Sequence, residues 1–465
     1  MKINSLLALC DFTAEELNTQ RPRIQKAFER AGLTDNDMEN GVSRLTRYFD
    51  LNLTGIRRCI GIFLIMFADL ALSRIEKRKK IIYSEWPLPV VIMDAIWRTD
   101  PDNLVAMPGM VCNVVLGQFL GKLASITEAG EQVGQPAGQA HCPLYQTHIG
   151  AITRGIAPMP DLEVVAGYTC EPPTAAMQMF SDLHHMPVIS IDGCVDGEWG
   201  EWPRPSEKQI QYMSAQIENG LAKAEQLVLK KPVSAEIKQG VIKDRVRANI
   251  PYQTMLELIA RSDPQPISQV DASLIFWLVN MPLLPEMAQK TAEAINLVCS
   301  EVKERVNMGV GILPKGSPRV YISFVTATDP AVMKLFEESG LSIPCTFMCW
   351  QPSVVKYKTP YSNFSDKIAA TIQKTGLYCS TWGFLEQTMQ YPRELQVDGA
   401  IICFSTSCRL YTIPPLMMKK ALRKEYVDFP VLILEGEVYD NRNYSAEQIR
   451  TRVETFAQII NSKSR

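Results

Sequence analysis

Cysteine carries most of the chemical potential of this 465-residue sequence, which holds twelve cysteines and four histidines. Cys142 stands in HCPLYQTHIGAI, Cys170 in AGYTCEPP and Cys408 in CFSTSCRLY. A thiolate binds soft metals, and it forms most readily at a helix N-terminus, where the dipole favours anions. Cys142 followed by Pro143 reads as a helix start, because proline suits the first helical position. Cys170 follows the apolar run LEVVAG and Cys408 follows AIICF, so both fall in loops at the ends of predicted strands. Ligands of open parallel sheets bind beyond those carboxyl ends. There is no CxxC pair and no ferredoxin-like run, so any metal cluster has to be assembled by the fold from distant segments.

The other cysteines read differently. Cys10, Cys59, Cys112 and Cys299 lie in apolar or helical surroundings and are expected in the core, where free cysteine is common. Cys194 reads as a loop residue, while Cys345, Cys349, Cys379 and Cys403 lie near or after predicted strand ends in the second half. Among the histidines, His141 adjoins Cys142 and His148 lies about two helical turns beyond it, so one of them can serve as a proton donor in a cleft. His141 is the preferred candidate. His184 and His185 sit at a predicted helix end, where positive charge suits the dipole, and read as structural.

These residues need elements to position them. Residues 1–80 read as helical, with apolar positions at helical spacing through 24–45 and 51–75. From residue 81 short apolar runs alternate with helical stretches: a helix over 111–123, the strand 162–167, a helix from 173 to 185 and the strand 187–191. Strand–helix–strand units of this length imply a parallel sheet. Residues 206–317 read as a helical segment that joins or caps the lobes. A second series follows: the strand 319–324, a helix over 330–339, an apolar run 344–350, the strand 400–404, a helix over 414–425 and the strand 430–434. A last helix covers 445–460, with Ser445 and Gln448 at capping-box spacing. The expected fold class is α/β: two Rossmann-like parallel-sheet lobes (81–205 and 318–465), a helical N-terminal region (1–80) and a helical middle segment (206–317). No GxGxxG fingerprint is present.

Composition narrows the function classes. Acids and bases nearly cancel at a net charge of −2, with no basic stripe, so a nucleic-acid partner is not expected. Residues 1–9 lack a basic region and a long apolar core, so no secretory signal is read there. The most apolar stretch, residues 59–72, includes Asp69 and is shorter than the roughly 20 residues of a bilayer span, so a buried helix is expected. A cytoplasmic protein follows, and in a reducing compartment metal or cluster ligation by cysteine outweighs disulfides.

Two blocks then point to a family. Residues 142–192, CPLYQTHIGAITRGIAPMPDLEVVAGYTC…MPVISID, place one cysteine at a helix start, a P-x-P-D strand before a second cysteine, and a following strand ending in Asp192. The stretch 397–452, VDGAIICFSTSCRLYT…FPVLILEGEVYDNRNYSAEQIRTR, runs from a "vDG" strand through an S-C turn to a D-x-R-N motif. In both blocks the chain resembles the 2-hydroxyacyl-CoA dehydratase and benzoyl-CoA reductase superfamily, over about residues 80–462 and with 1–80 outside it. The resemblance implies a [4Fe–4S] cluster held by Cys142, Cys170 and Cys408, with a fourth iron open to substrate or water, as catalytic zinc keeps one position open. It further implies one-electron chemistry on an acyl-CoA thioester. Dehydratases of the family pass through a ketyl radical that expels hydroxide, and benzoyl-CoA reductases begin ring reduction with the same kind of electron. A homologous second subunit and a separate ATP-hydrolysing iron–sulfur activator are the implied partners.

The sequence departs from the family pattern in places. The larger dehydratase subunit carries Ser and Glu in a pattern like S-x-F-P-x-E. Here Ser84 is present, as a catalytic candidate, but Pro89 stands at the Glu position, and Glu85 and Asp94 lie at other offsets. Arg409 replaces the usual Lys after the third cysteine, which keeps charge and alters hydrogen-bond geometry. The leading expectation is a 2-hydroxyacyl-CoA dehydratase subunit. The alternatives are a benzoyl-CoA reductase-type subunit, a double-cubane-type reductase using the extra cysteines, and a non-catalytic electron relay.

Overall fold

The computed structural model describes residues 2–135, 141–194, 197–323, 329–346, 359–374, 381–405, 407–408, 412, 414–437, 439–440, 442 and 445–463. Cys349, Cys379 and Arg409 lie outside these residues.

Four helices come first: α1 (Ile3–Leu7), α2 (Ala14–Arg30), α3 (Asp35–Tyr48) and α4 (Thr54–Leu72). α2 and α3 each begin at a threonine whose hydroxyl accepts from the third backbone N–H, while Glu16 or Asp37 reaches back to the cap. That reciprocal pairing satisfies donors that the first turn leaves open. α4 is apolar on most sides and mostly buried, as suits a helix in the middle of a large core. Among the described residues, no helix is long and apolar enough to cross a membrane.

The first sheet series is β1 (Ile81–Ser84), α5 (Val90–Thr99), β2 (Leu104–Ala106), α6 (Pro108–Cys112), α7 (Ala124–Gln132), α8 (Pro143–Thr153), β3 (Leu162–Ala166), α9 (Glu171–His184) and β4 (Val188–Ile191). Four helices follow: α10 (Glu207–Ala224), α11 (Ala235–Arg261), α12 (Gln269–Val279) and α13 (Pro285–Met308). The second series is β5 (Arg319–Ile322), α14 (Pro330–Glu338), β6 (Ser342–Thr346), α15 (Phe364–Gln373), α16 (Thr381–Leu395), β7 (Gly399–Phe404), α17 (Pro414–Glu425), β8 (Val431–Glu435) and α18 (Ala446–Lys463).

Both sheets are wholly parallel among the described residues, in the orders β2-β1-β3-β4 and β6-β5-β7-β8. The expected α/β class is therefore observed. The central strands are apolar and buried, because helices cover both faces of a parallel sheet. Each lobe repeats one order, and in each the chain reverses direction of travel between its first and third strands. That reversal opens a crevice beyond the strand ends, where ligands of such sheets bind.

Several local expectations shift. The expected helix 111–123 is the short α6 followed by wide π turns over Asn113–Phe119; periodicity over so few residues cannot separate the two windings. The edge strand β2 has only three residues, too few for an alternation to show. α9 begins earlier than expected, directly at Glu171, because Pro172 and Pro173 fit its first turn. α15 and α16 add two helices to the second lobe that sequence periodicity did not indicate.

Candidate functional site

α8 and α9 place the first two cysteines. Cys142 is the N-cap of α8 and Cys170 the N-cap of α9, each followed by proline in the first turn. Both thiols are half-buried, and neither is in a disulfide. Burial, helped by Glu85 and Glu437, outweighs the backbone N–H groups of Leu144 and Tyr145 and pushes the Cys142 thiol up to about 11. The loop before Cys170 is tied to the loop after β1, where the buried Tyr168 hydroxyl donates to the Pro87 carbonyl at 2.9 Å.

The third cysteine sits in a turn braced on both sides. Thr412 Oγ1 donates to the carbonyls of Ser405 (2.6 Å) and Cys408 (2.9 Å). The Glu437 carboxylate, just past β8, accepts from Ser405 Oγ at 2.7 Å, from Ser407 N at 3.3 Å and from the Ser407 hydroxyl. Glu437 is also near enough to raise the Cys142 thiol and, with Cys408, the buried Cys403 thiol, although burial is the main cause at both. The charge of this one second-lobe carboxylate therefore bears, as the smaller effect, on a cysteine of each lobe.

Two further links hold the strand-end loops face to face. Trp86 after β1 packs edge-on to Trp277 of α12 at 5.9 Å, and Trp277 packs against Tyr439 after β8 at 6.0 Å. Arg442 pairs with Glu131 of α7 at 2.5 Å while Asp440 holds it from its own loop at 2.7 Å. The arginine of the D-x-R-N motif is therefore an inter-lobe clamp.

Beneath Cys142 lies a buried ionic trio. His148 Nδ1 pairs with Glu85 Oε1 at 2.9 Å and Nε2 with Glu163 Oε1 at 2.8 Å, all three side chains fully buried. Burial lowers the imidazole pKa, but Glu163 and Glu85 override it and bring it to about 10, so His148 is a cation at neutral pH. Burial raises the Glu85 carboxyl and His148 pulls it back. Glu85 also accepts from the backbone N–H of Gly109 and, at 3.2 Å, from that of Met110. The β1–β3 register sets Tyr83 beside Glu163, and the Tyr83 and Tyr145 rings flank the imidazole at 5.7 and 6.2 Å.

These contacts show where the sequence candidates lie. His148, one of two proton-donor candidates, has both ring nitrogens committed to carboxylates. His141 is half-buried beside Cys142, with Nδ1 at 2.8 Å from Gln135 Oε1. Ser84 ends β1 fully buried, its hydroxyl 3.4 Å from the neighbouring Glu85 carbonyl. Glu85 and Asp94 are not spare carboxylates. Asp94 binds the Arg245 guanidinium through both oxygens (2.5 and 2.7 Å) and accepts from Leu283 N at 2.7 Å. Pro89 caps α5 and lines an apolar groove of about 270 Å³ with Leu88, Val90, Val91, Ile242 and Ile368. Sequence reasoning missed Glu163, Tyr145 and Glu437. A lone glutamate inside the apolar strand LEVVAG was the visible signal for the first.

Cys10, Cys59, Cys112 and Cys299 are buried as expected, Cys194 is exposed, and Cys345 and Cys403 are buried within strands. Among the described residues, no group of three or more His, Cys, Asp or Glu side chains is arranged to hold a single metal ion. A polynuclear cluster asks for something different, one soft donor per iron. Three half-buried thiols on separate loops supply that donor chemistry.

Residues 100–460 match the protein family described as 2-hydroxyglutaryl-CoA dehydratase, D-component. The chain is 23% identical over 336 residues to the (R)-phenyllactyl-CoA dehydratase alpha subunit of Clostridium sporogenes, covering 70% of this chain and 77% of that one. It is 22% identical over 314 residues to the alpha subunit of (R)-2-hydroxyglutaryl-CoA dehydratase of Acidaminococcus fermentans, covering 65% and 61%. A benzoyl-CoA reductase subunit of Thauera aromatica is 23% identical over 188 residues, covering 37% and 43%.

Proposed function

We propose, since this chain belongs to the 2-hydroxyglutaryl-CoA dehydratase D-component family, that it is a subunit of an iron–sulfur 2-hydroxyacyl-CoA dehydratase whose [4Fe–4S] cluster is held by Cys142, Cys170 and Cys408. The supporting observation is positional. All three thiols stand just past strands or at helix starts on the loops of the two crevices, and Glu437 of one lobe acts on Cys142 of the other.

A cluster bound there, with one iron open, would supply a single electron to the thioester carbonyl of an acyl-CoA. The chain's own residues set the conditions for it. The N-termini of α8 and α9 stabilise negative charge at Cys142 and Cys170. The Trp86–Trp277–Tyr439 contacts hold the strand-end loops of the two lobes together. Ser84, at the end of β1 in the first crevice, and His141, oriented by Gln135, are the groups proposed to meet the acyl part. The partners in this reading are a homologous second subunit and an ATP-hydrolysing activator. The setting is the cytoplasm of an anaerobe.

Purification without oxygen, with iron and sulfide counted in wild type and Cys408→Ala, tests the ligand assignment. The variant should lose most of its iron; unchanged iron content would overturn the assignment.

One observation favours a second reading, a subunit that reduces an acyl-CoA or relays electrons. Pro89 replaces the expected carboxylate, and both nearby carboxylates are committed to structural ion pairs. Product analysis after incubation with activator and an (R)-2-hydroxyacyl-CoA separates the readings, since only a dehydratase forms the enoyl-CoA. A cluster spectrum that does not respond to any acyl-CoA would favour the relay.

A further inference from the structure

The groove beside Pro89 plays no part in the site described above. Leu88 and Pro89 reach it from the loop after β1, Ile242 and Val246 from one face of α11, and Ile368 from α15. α15 belongs to the second lobe's series and is held on α10, where Ser214 Oγ donates to Asp366 at 2.5 Å and Gln373 Nε2 to the Gln209 carbonyl at 2.8 Å. The groove therefore runs between a first-lobe loop and a second-lobe helix, beyond the carboxyl end of β1, the side on which parallel sheets bind ligands. Val246 remains 47% exposed along it, so its apolar wall is open to water.

Its polar groups indicate what fills it. No acidic residue lines the groove. Arg245 is spent on Asp94 and on the Val279 and Met281 carbonyls. Lys367 is half-buried in the lining and pairs with no acid among the described residues. Asn249 and Asn280 each donate Nδ2 to the backbone carbonyl four residues earlier, at 3.0 and 2.8 Å, which turns their amide oxygens to use as acceptors. An aliphatic wall, two acceptors and one cation suit an aliphatic chain that carries N–H donors and ends in an anion. We propose that the groove holds the phosphopantetheine arm of an acyl-CoA. Its methyl and methylene groups lie on the aliphatic wall, its amides donate to Asn249 and Asn280, and its phosphate meets Lys367. This assignment rests on the acyl-CoA reading above.

Size and position agree with an arm rather than a whole coenzyme. A volume of about 270 Å³ falls short of the roughly 300–1,000 Å³ of pockets that enclose a complete drug-sized ligand. The five residues from Ser84 to Pro89 span at most about 17 Å, a length that a pantetheine arm can bridge. The same loop is tied to the segment of Cys170, because the Tyr168 hydroxyl donates to the Pro87 carbonyl. The groove and the proposed cluster site therefore share one loop.

Calorimetric titration of the protein purified without oxygen tests this with four probes: CoA, phosphopantetheine, pantetheine lacking the phosphate, and octyl phosphate, which has chain and phosphate but no amides. In wild type, CoA and phosphopantetheine should compete for one site, and the other two should bind roughly tenfold more weakly or worse. Lys367→Gln should erase the difference between phosphopantetheine and pantetheine. Val246→Trp fills the groove from an exposed position and should weaken CoA by roughly tenfold or more. Ile250→Trp, one turn along α11, outside the lining and 63% exposed, should not. Melting curves check that each variant is folded. CoA binding that Lys367→Gln and Val246→Trp both leave unchanged overturns the groove assignment while the acyl-CoA reading stands. Octyl phosphate as tight as phosphopantetheine also overturns it, since the amides would then play no part. Phosphopantetheine binding without CoA binding overturns acyl-CoA as the source and points to the arm of a carrier protein. Absence of both from wild type removes the groove assignment and the acyl-CoA reading together.

Discussion

At the scale of single residues, the ion pairs explain more than the cysteines do. His148 is held between two carboxylates in a fully buried position. Its pKa in the folded protein, about 10, lies above the ordinary 6.5. The stability this provides is complete below pH 6.5 and is lost as pH rises through 10. Thermal melts across that interval should show the decline, and a flat profile would mean the imidazole is neutral. His148→Ala leaves two carboxylates buried without their cation and should cost roughly 3–5 kcal/mol, read as a lower urea midpoint. The sequence showed His148 and Glu85 plainly, but not that they meet. Their side chains come from segments 63 residues apart that meet only in the folded chain, so no local pattern could pair them.

Elements set the precision with which Cys142 is presented. α7 and α8 approach so closely that a Cβ on Gly130 would strike the Gln146 carbonyl and one on Gly150 the Ile126 carbonyl. Gly150→Ala must push the two helices apart, at a cost of about 1–3 kcal/mol. Because Cys142 begins α8, the variant should also retain less iron. Gly240 of α11 has open space around its Cβ position, so Gly240→Ala should gain up to about 1 kcal/mol from helix propensity and keep its iron. Urea unfolding with an iron count separates these outcomes. The two parallel sheets and the placement of Cys142 at a helix start were legible from apolar runs and from proline in the first turn. The π turns after α6 were not, because their winding depends on how Asn113–Phe119 packs, all of it buried.

For the whole molecule, the question is what keeps two separate sheets facing each other. Arg442 reaches Glu131 of the first lobe, Arg44 of α3 reaches Asp329 at the start of α14, and Arg305 of α13 pairs with Asp50. The N-terminal helices therefore belong to the same assembly, tied to the second lobe and to the middle segment. Arg442→Lys keeps the charge and loses the two-pronged grip on Glu131. A double-mutant cycle of Arg442→Lys with Glu131→Gln should give a coupling on the order of 1 kcal/mol. Hydrogen exchange in α7 should rise in either single variant, and zero coupling would remove Arg442 as a clamp.

The sequence by itself determined the α/β class, the positions of the central strands and the placing of Cys142, Cys170 and Cys408 at strand ends or a helix start. Those features follow from residues a few positions apart, through hydrophobic periodicity and first-turn chemistry. Only the tertiary structure decided that Glu85 and Asp94 are occupied by His148 and Arg245, that Glu437 acts on Cys142 across the lobes, and that Tyr145 is buried with a hydroxyl that no described residue pairs. Such facts are set by which distant segments share a low-dielectric space, where every polar group has to be paired or left at a cost.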